Sequence, residues 1–161
     1  MKTIITPAEA VASAWGSGEY AAPDTVAVAD IAAAEERHLL PVIGRPLAEA
    51  LAAGRYEELR TDYVMPALAL FVRAGIQSSL DVRTGQAGTV VQSGTYCAPA
   101  DTVARQSLHR SLRRRAETLL RRLSDRLEAD ASCAAPSYPE YDPRRNILKR
   151  CMTDGGIVQV F

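Results

Sequence analysis

The spacing of apolar residues predicts that most of this chain is helical. The strongest repeat predicts one long helix that begins at a cap formed by Asp101 and Thr102 and ends near Ala131. Its apolar stripe recurs every three or four residues and comprises Leu108, Leu112, Ala116, Leu119, Leu120, Leu123 and Leu127. A helix of about thirty residues is about 45 Å long at 1.5 Å per residue, which is longer than a small domain needs. We therefore expect part of it to project or to meet a neighbouring molecule.

Shorter helices are predicted before it. Thr6-Pro7-Ala8-Glu9 has the form of a capping box with proline at the first helical position. A second helix begins near Val28, and we expect Pro41 to kink or end it. A short helix over 47–53 should stop at Gly54.

The stretch from Tyr63 to Leu80 is apolar most of the way round, which is typical of a helix at the centre of a domain. We expect Thr61 or Asp62 to cap this central helix, with Pro66 in or just beyond its first turn. Leu112, Leu119, Leu120 and Leu123 of the long helix are predicted to be buried, some of them against Leu68 and Phe71 of the central one.

Residues 83–100 interrupt the helical pattern, because three glycines and a proline flank the β-branched run Thr89-Val90-Val91. This segment is either a loop or a loose hairpin. Long loops in compact domains are uncommon and are often functional. The candidates for an assembly loop are therefore Gly85, Gly88, Val90, Val91 and Gly94.

The C-terminal part is predicted to hold a short helix after Asp142-Pro143 and a strand-like run over 157–161. That run is expected to pair either with the 89–91 segment or with a neighbouring molecule. The resulting fold class is all-α: a helical bundle with one long helix in its C-terminal half, a long Gly-rich loop and minor β content. A length of 161 residues fits a single domain over 1–161, in which 135–161 form an extended C-terminal segment.

Charge is segregated along a chain that is neutral as a whole. Residues 1–60 carry nine acids against five bases, whereas residues 105–126 carry eight arginines against two acids. One interpretation is a solvated helix face with internal pairs such as Glu117–Arg121. The other is a contact surface, because arginine forms bidentate pairs with carboxylates and phosphates. The candidates for interface or phosphate contact are Arg110, Arg113, Arg114 and Arg121.

Two partners fit such a surface. One is the acidic N-terminal half of an identical neighbouring subunit, and the other is DNA. No aromatic residues interleave these arginines and no helix-turn-helix turn precedes them, so sequence-specific reading of DNA is not expected.

Catalytic signatures are missing from the sequence. The two histidines, His38 and His109, fall in predicted helices without a nearby motif, and no phosphate loop, nucleophile elbow or metalloprotease motif is present. Three widely spaced cysteines do not form a zinc pattern. We expect no enzyme activity and no catalytic, cofactor-binding or metal site. The N-terminus has no signal-peptide core and no stretch is long enough to span a membrane, which predicts a cytoplasmic location without membrane contact.

Several segments resemble an uncharacterised family of small helical proteins encoded in prophage-like elements. They are residues 30–47, 63–70, 81–85 and 119–125, and the run Tyr138-Pro139-Glu140-Tyr141. The layout is similar to that of head–tail connector (neck adaptor) proteins of tailed phages, although the 83–100 loop and the extension from Pro136 depart from the compact connector pattern.

The resemblance implies a non-enzymatic ring of identical subunits between the portal and tail-completion proteins. It also implies possible non-specific DNA contact in a channel, and a location in the virion once assembled. The alternative is a helical regulatory or non-specific nucleic-acid-binding protein that uses its Arg-rich helix.

Overall fold

The fold is all-α, as predicted, and its central helix spans Met65–Leu80. A computed structural model describes residues 2–16, 18–19, 21–80, 82–85, 88–91, 100–149, 151–154 and 157–160. Its helices are α1 (Pro7–Ala14), α2 (Val28–Ala34), α3 (Leu40–Ile43), α4 (Arg45–Ala52), α5 (Glu57–Leu59), α6 (Met65–Leu80) and α7 (Thr102–Ala131). Short 3-10 turns occupy Pro23–Thr25, Pro143–Arg145 and Ile147–Lys149. Helix α6 packs against α1, α2 and α7.

The N-terminal caps predicted at Thr6 and Asp101 are confirmed. The Oγ1 of Thr6 accepts a hydrogen bond from the Glu9 N–H, and the Glu9 carboxylate accepts one from the Thr6 N–H, at 3.3 and 2.7 Å. At the start of α7 the carboxylate of Asp101 accepts a 2.7 Å hydrogen bond from the Ala104 N–H. Each side chain satisfies a helix N–H that has no partner within its own helix. Gly54, predicted to end a helix, follows α4 in the left-handed region at φ 87°.

The helix that begins at Val28 does not end at Pro41 but continues to Ile43, whereas Pro66 is the second residue of α6 and so lies in its first turn, as predicted. A π turn at Glu35–Leu39 joins α2 to α3, and another at Arg60–Val64 joins α5 to α6, so the described helices form five rods. Both prolines lie two residues beyond a π turn, and the residue before each donates its N–H five residues back. We infer that the wider turn makes room for the proline ring, which would otherwise clash with the carbonyl four residues earlier. Thr61 and Asp62 therefore lie inside a continuous rod and do not cap α6.

The core forms where α6 meets α7. Leu68, Phe71, Leu112, Leu120 and Leu123 are all buried, as predicted. Two leucines of the predicted stripe are not: Leu119 is half-buried and Leu108 is 39% exposed. At about 100° per residue, Leu108 and Leu119 both lie on one edge of the buried face. Toward the N-terminus of α7, the positions in line with the buried Leu112 and Ala116 are occupied by His109 and Arg105.

Two short hairpins supply the predicted minor β content. Strand β1 (Val82–Gly85) pairs antiparallel with β2 (Gly88–Val91), and β3 (Cys151–Asp154) pairs antiparallel with β4 (Ile157–Val160). The expectation that the 157–161 run pairs with the 89–91 segment is wrong for residues 157–160, whereas its pairing with a neighbouring molecule stays a prediction. Each strand pairs with the one two residues away, which requires the least ordering of the chain. Of the two alternatives for the segment after α6, the hairpin is the one observed over 82–91, whereas residues 92–99 lie outside the described part.

Candidate interface on the long helix

Arg110, Arg113, Arg114 and Arg121 lie on one side of α7. At about 100° per residue they occupy an arc of about 100° that begins next to Leu120 and extends away from the buried leucines. All four residues are exposed. The predicted basic face is therefore a geometric feature of α7.

Three of these four arginines have no carboxylate partner within the described part of the chain. Arg113 contacts Glu117 at 3.5 Å. Glu117 therefore pairs with the arginine four residues before it, and not with Arg121 as predicted. The Nε of Arg110 donates to the backbone carbonyl of Gln106 at 3.2 Å. Arg114 and Arg121 make no side-chain ion pair with a described residue. Internal pairing thus accounts for only a small part of the charge on this face.

The acids of the N-terminal half are mostly engaged within the chain itself. Carboxylates of this region bind as follows: Glu9 and Glu57 to Arg60, Glu19 to Arg73, Glu36 to Arg45, Glu35 to the Ile4 N–H and Asp30 to the Ala27 N–H. Among the described residues, Asp24, Glu49 and Glu58 are exposed and their side chains make no ion pair or hydrogen bond. The acidic surface available to a partner is therefore smaller than the sequence count indicates.

The buried Arg73 forms a cluster that was not predicted from the sequence. Its guanidinium donates to both carboxylate oxygens of Glu19 at 2.6 and 2.7 Å and to the carbonyl of Ala14 at 2.7 Å, and it lies 4.9 Å from the Trp15 ring centroid. The hydrogen bonds from Arg73, with one from the Gly16 N–H, lower the pKa of Glu19 to about 2. Since all partners are within the chain, the cluster fixes the segment after α1 to α6.

A cavity of about 510 Å³ opens between the end of α6 and the start of α7. The described residues that line it are Gln77, Ser78, Arg105, Gln106, His109 and Arg110. The Oε1 of Gln77 is buried and has no hydrogen-bond partner among the described residues. This cavity was not predicted from the sequence. The sequence feature that could have indicated it is the presence of His109 and Arg105, instead of apolar residues, on the side of α7 that faces inward.

His38 packs as a boundary histidine. Its ring stacks on Phe71 with centroids 4.0 Å apart and planes at 6°. Burial, together with the cations of Arg37 and Arg113, lowers the pKa of His38, which favours the neutral imidazole at neutral pH. Among the described residues, no group of three or more His, Cys, Asp or Glu side chains is arranged to hold a metal ion.

The loop candidates fall on the first hairpin. Gly85 pairs with Gly88 at its turn end, Val90 pairs with Arg83, and Val91 pairs with Val82. Gly94 lies outside the described residues. Within the described part of the chain, no helix is both long and apolar enough to cross a membrane.

Comparison with known proteins gives one match. The model of a family described as "Family of unknown function (DUF6712)" matches residues 39–150, which is more than half of the chain. That range includes most of the helical core, α7 and the Tyr138–Tyr141 run. No curated protein and no solved structure matches the chain.

Proposed function

We propose that this chain, which belongs to the DUF6712 family, is a non-enzymatic structural subunit of a phage or prophage head–tail connector. It would assemble as a ring of identical subunits between the portal and tail-completion proteins, first in the cytoplasm and then in the virion. The observation that carries the proposal is the exposed arginine face of α7, on which Arg110, Arg114 and Arg121 have no carboxylate partner among the described residues.

A face of this kind is suited to contact between molecules. Exposed arginines keep their hydration until a partner replaces it, and their planar guanidinium groups pair bidentately with carboxylates. The apolar side of α7 is covered by α6, whereas the four arginine side chains remain exposed. A rigid helix therefore presents fixed charges, which favours defined geometry between subunits.

The proposal is tested by charge reversal on that face. The double variant Arg114→Glu/Arg121→Glu should keep its melting temperature, because both side chains are exposed. Expressed with the capsid, portal and tail genes of its element, it should give few tailed particles in electron micrographs. The matched control is Arg144→Glu/Arg145→Glu, which reverses two exposed charges outside α7. Equal particle yields from the two double variants would contradict the connector role.

The same face also supports a second candidate, non-specific binding of nucleic acid through phosphates. Eight arginines within residues 105–126 would make such binding strongly dependent on salt, because each neutralised phosphate releases counterions. Titration with duplex DNA at several salt concentrations separates the two functions. A steep salt dependence that Arg114→Glu/Arg121→Glu abolishes, together with normal particle assembly, would favour the nucleic-acid role.

A further inference from the structure

Each of the two hairpins has strand edges that pair with no other described strand. The described strands form two separate two-stranded sheets, β1 with β2 and β3 with β4. A lone hairpin is only marginally stable in water, whereas three or more strands stabilise one another. An unpaired edge also presents N–H and C=O groups on which a strand of another chain can pair. Both hairpins would therefore be stabilised by a strand that a neighbouring molecule supplies.

The register identifies the backbone groups that face outward from each hairpin. Two residues separate the strands, and the closing pairs are Gly85 with Gly88 and Asp154 with Ile157. The closing pair of such a tight hairpin is hydrogen-bonded, so the next residue along each strand turns its N–H and C=O outward. On β2 the outward residues are Thr89 and Val91, and on β4 they are Val158 and Val160. The two edges thus carry the same pattern of donors and acceptors, repeated every second residue.

Strands β2 and β4 are better suited to pairing with another chain than β1 and β3 are. Neither β2 nor β4 contains a charged residue or a proline, whereas β1 contains Arg83 and β3 contains Asp154. Charged residues on edge strands are a common defence against pairing between chains. Strand β1 also contacts α6, which it follows after one residue. Three of the four residues of β4 are β-branched, a composition typical of strands.

We infer that the β4 edge of one copy of this chain pairs with the β2 edge of a second copy. The two hairpins then form one four-stranded sheet across the two molecules, in the order β1-β2-β4-β3. In this mode of recognition, hydrogen bonds between main chains supply the affinity. The head-to-tail arrangement rests on the proposed ring: two different edges are joined, so each copy binds one neighbour through β2 and another through β4, and the contacts can close. A four-residue edge buries less area than the roughly 1,200–2,000 Å² of stable interfaces, so we expect weak association in solution.

Proline substitutions on single edges test the inference. In sedimentation velocity over a concentration series up to the solubility limit, the wild-type chain should form oligomers larger than dimers. Thr89→Pro and Val158→Pro each remove an outward N–H without breaking a hydrogen bond of the hairpin itself, and each should weaken association about tenfold or more. The matched controls are Thr84→Pro and Thr153→Pro, which place proline directly across the same hairpins, on β1 and β3. Both controls should associate as the wild type does.

A mixture of the two edge variants identifies which edges meet. Thr89→Pro keeps an intact β4 edge and Val158→Pro keeps an intact β2 edge, so an equimolar mixture should form heterodimers that grow no further. If Val158→Pro alone associated as strongly as wild type, β2 would pair with itself, and the same result for Thr89→Pro would mean that β4 does. Either result would overturn the inference. So would a wild-type chain that is monomeric at every concentration, or a control proline that weakens association as much as the edge prolines do.

Hydrogen exchange on the wild-type chain is a second measure, which needs no substitution and therefore holds if a melting temperature shows that a proline variant has failed to fold. As the protein concentration rises, exchange should slow in β2 and β4 and stay unchanged in β1 and β3. Association without slower exchange in β2 and β4 would contradict the contact. Normal yields of tailed particles from Thr89→Pro and Val158→Pro, together with few particles from Arg114→Glu/Arg121→Glu, would refute this contact while leaving the connector role intact.

Discussion

The side-chain amide of Asn146 donates a 2.7 Å hydrogen bond to the Oγ of Ser124 on α7, and both residues are buried. The same amide nitrogen lies 2.7 Å from the hydroxyl of Tyr141, which in turn donates to Glu128. The Oδ1 of Asn146 accepts from the Leu148 N–H at 3.0 Å. This network fixes the segment after α7 to the helix, and its members satisfy one another away from water.

Removal of the Asn146 side chain should therefore cost more than the loss of one exposed hydrogen bond. We expect Asn146→Ala to lower the free energy of unfolding by about 1–3 kcal/mol, because Ser124 and Tyr141 lose a buried partner. Urea denaturation measures the difference. Arg144→Ala, an exposed change two residues away, should remain within about 0.5 kcal/mol of wild type. Equal midpoints for the two variants would show that the C-terminal segment does not stabilise the fold.

The Glu19–Arg73 pair should make stability depend on acid pH. The folded chain holds the pKa of Glu19 at about 2, below its ordinary value of 4.5. A carboxyl group whose pKa is lowered by folding adds stability that is complete above about pH 4.5 and is lost as the pH falls toward 2. The melting temperature of Glu19→Gln should therefore be lower than that of wild type at neutral pH, and the difference between the two should disappear near pH 2.

The control for that prediction is Glu49→Gln, since Glu49 is exposed and its side chain has no partner among the described residues. Its melting temperature should follow that of wild type at every pH. If the difference in melting temperature between wild type and Glu19→Gln stays constant with pH, the Glu19–Arg73 pair contributes to stability through shape and packing rather than through charge.

Truncation of the leucines on α7 should lower the free energy of unfolding by amounts that depend on the position of each leucine around the helix. Leu123 is fully buried, whereas Leu119 lies at the edge of the buried face and is half-buried. Leu123→Ala should cost about 2–5 kcal/mol, as truncations in a well-packed core do. Leu119→Ala should cost clearly less, because part of its surface already faces water. Chemical denaturation of both variants checks the order, and equal costs would place Leu119 in the core.

The fold could be predicted where side chains repeat with helical spacing. Thr6, Asp101 and Gly54 marked helix ends correctly because their effect is local. Pro41 did not end its helix, and the cap expected at Thr61 or Asp62 was wrong, because a π turn precedes each proline and no spacing rule signals a π turn. Leu108 was misplaced because it and His109 are both close to the helical line through Leu112, and only packing against α6 decides which one turns inward.

The candidate site was predicted only in part. The arginine face followed from composition and helical angle, both of which are readable from sequence. The α6–α7 cavity was not predictable, because Gln77 and Arg110 are 33 residues apart along the chain and meet only through the packing of two helices. The ion pairs of Glu19 with Arg73 and of Glu9 with Arg60 were missed for the same reason. Charge counts along a sequence do not reveal which carboxylates are already paired.

Gly75 offers a stabilising substitution. It lies within α6 and is exposed, and a Cβ built at this position meets nothing within 4 Å. Glycine inside a helix costs roughly 0.5–1 kcal/mol relative to alanine through its larger backbone entropy when unfolded. Gly75→Ala should therefore raise the free energy of unfolding by about that amount. Gly54→Ala is the contrasting variant, since φ at Gly54 is 87° and alanine is strained there. A destabilised Gly75→Ala would mean that the backbone of α6 departs from helical geometry at this position.

The connection between α6 and α7 should matter for assembly more than for stability. Residues 86–95 include β2 and comprise two glycines, five uncharged polar residues, one alanine and two valines, so they offer little apolar surface to a core. Shortening a connection changes its closure entropy only slowly with length. A chain lacking residues 86–95 should therefore keep a melting temperature close to that of wild type. In the proposed connector this segment contacts a neighbouring subunit or the portal, so the same deletion should abolish the assembly of tailed particles.

Two measurements on that deletion separate an assembly element from a structural one. If the hairpin supports the fold, the melting temperature falls, while any protein that remains folded still assembles. If it serves assembly, stability is retained and particles are lost. Replacement of residues 86–95 by ten alternating glycines and serines should give the same result as the deletion, because it keeps the length and removes β2. Normal particle yield from a stably folded deletion variant would exclude Gly88, Val90, Val91 and Gly94 from assembly and leave the arginine face of α7 as the remaining candidate surface.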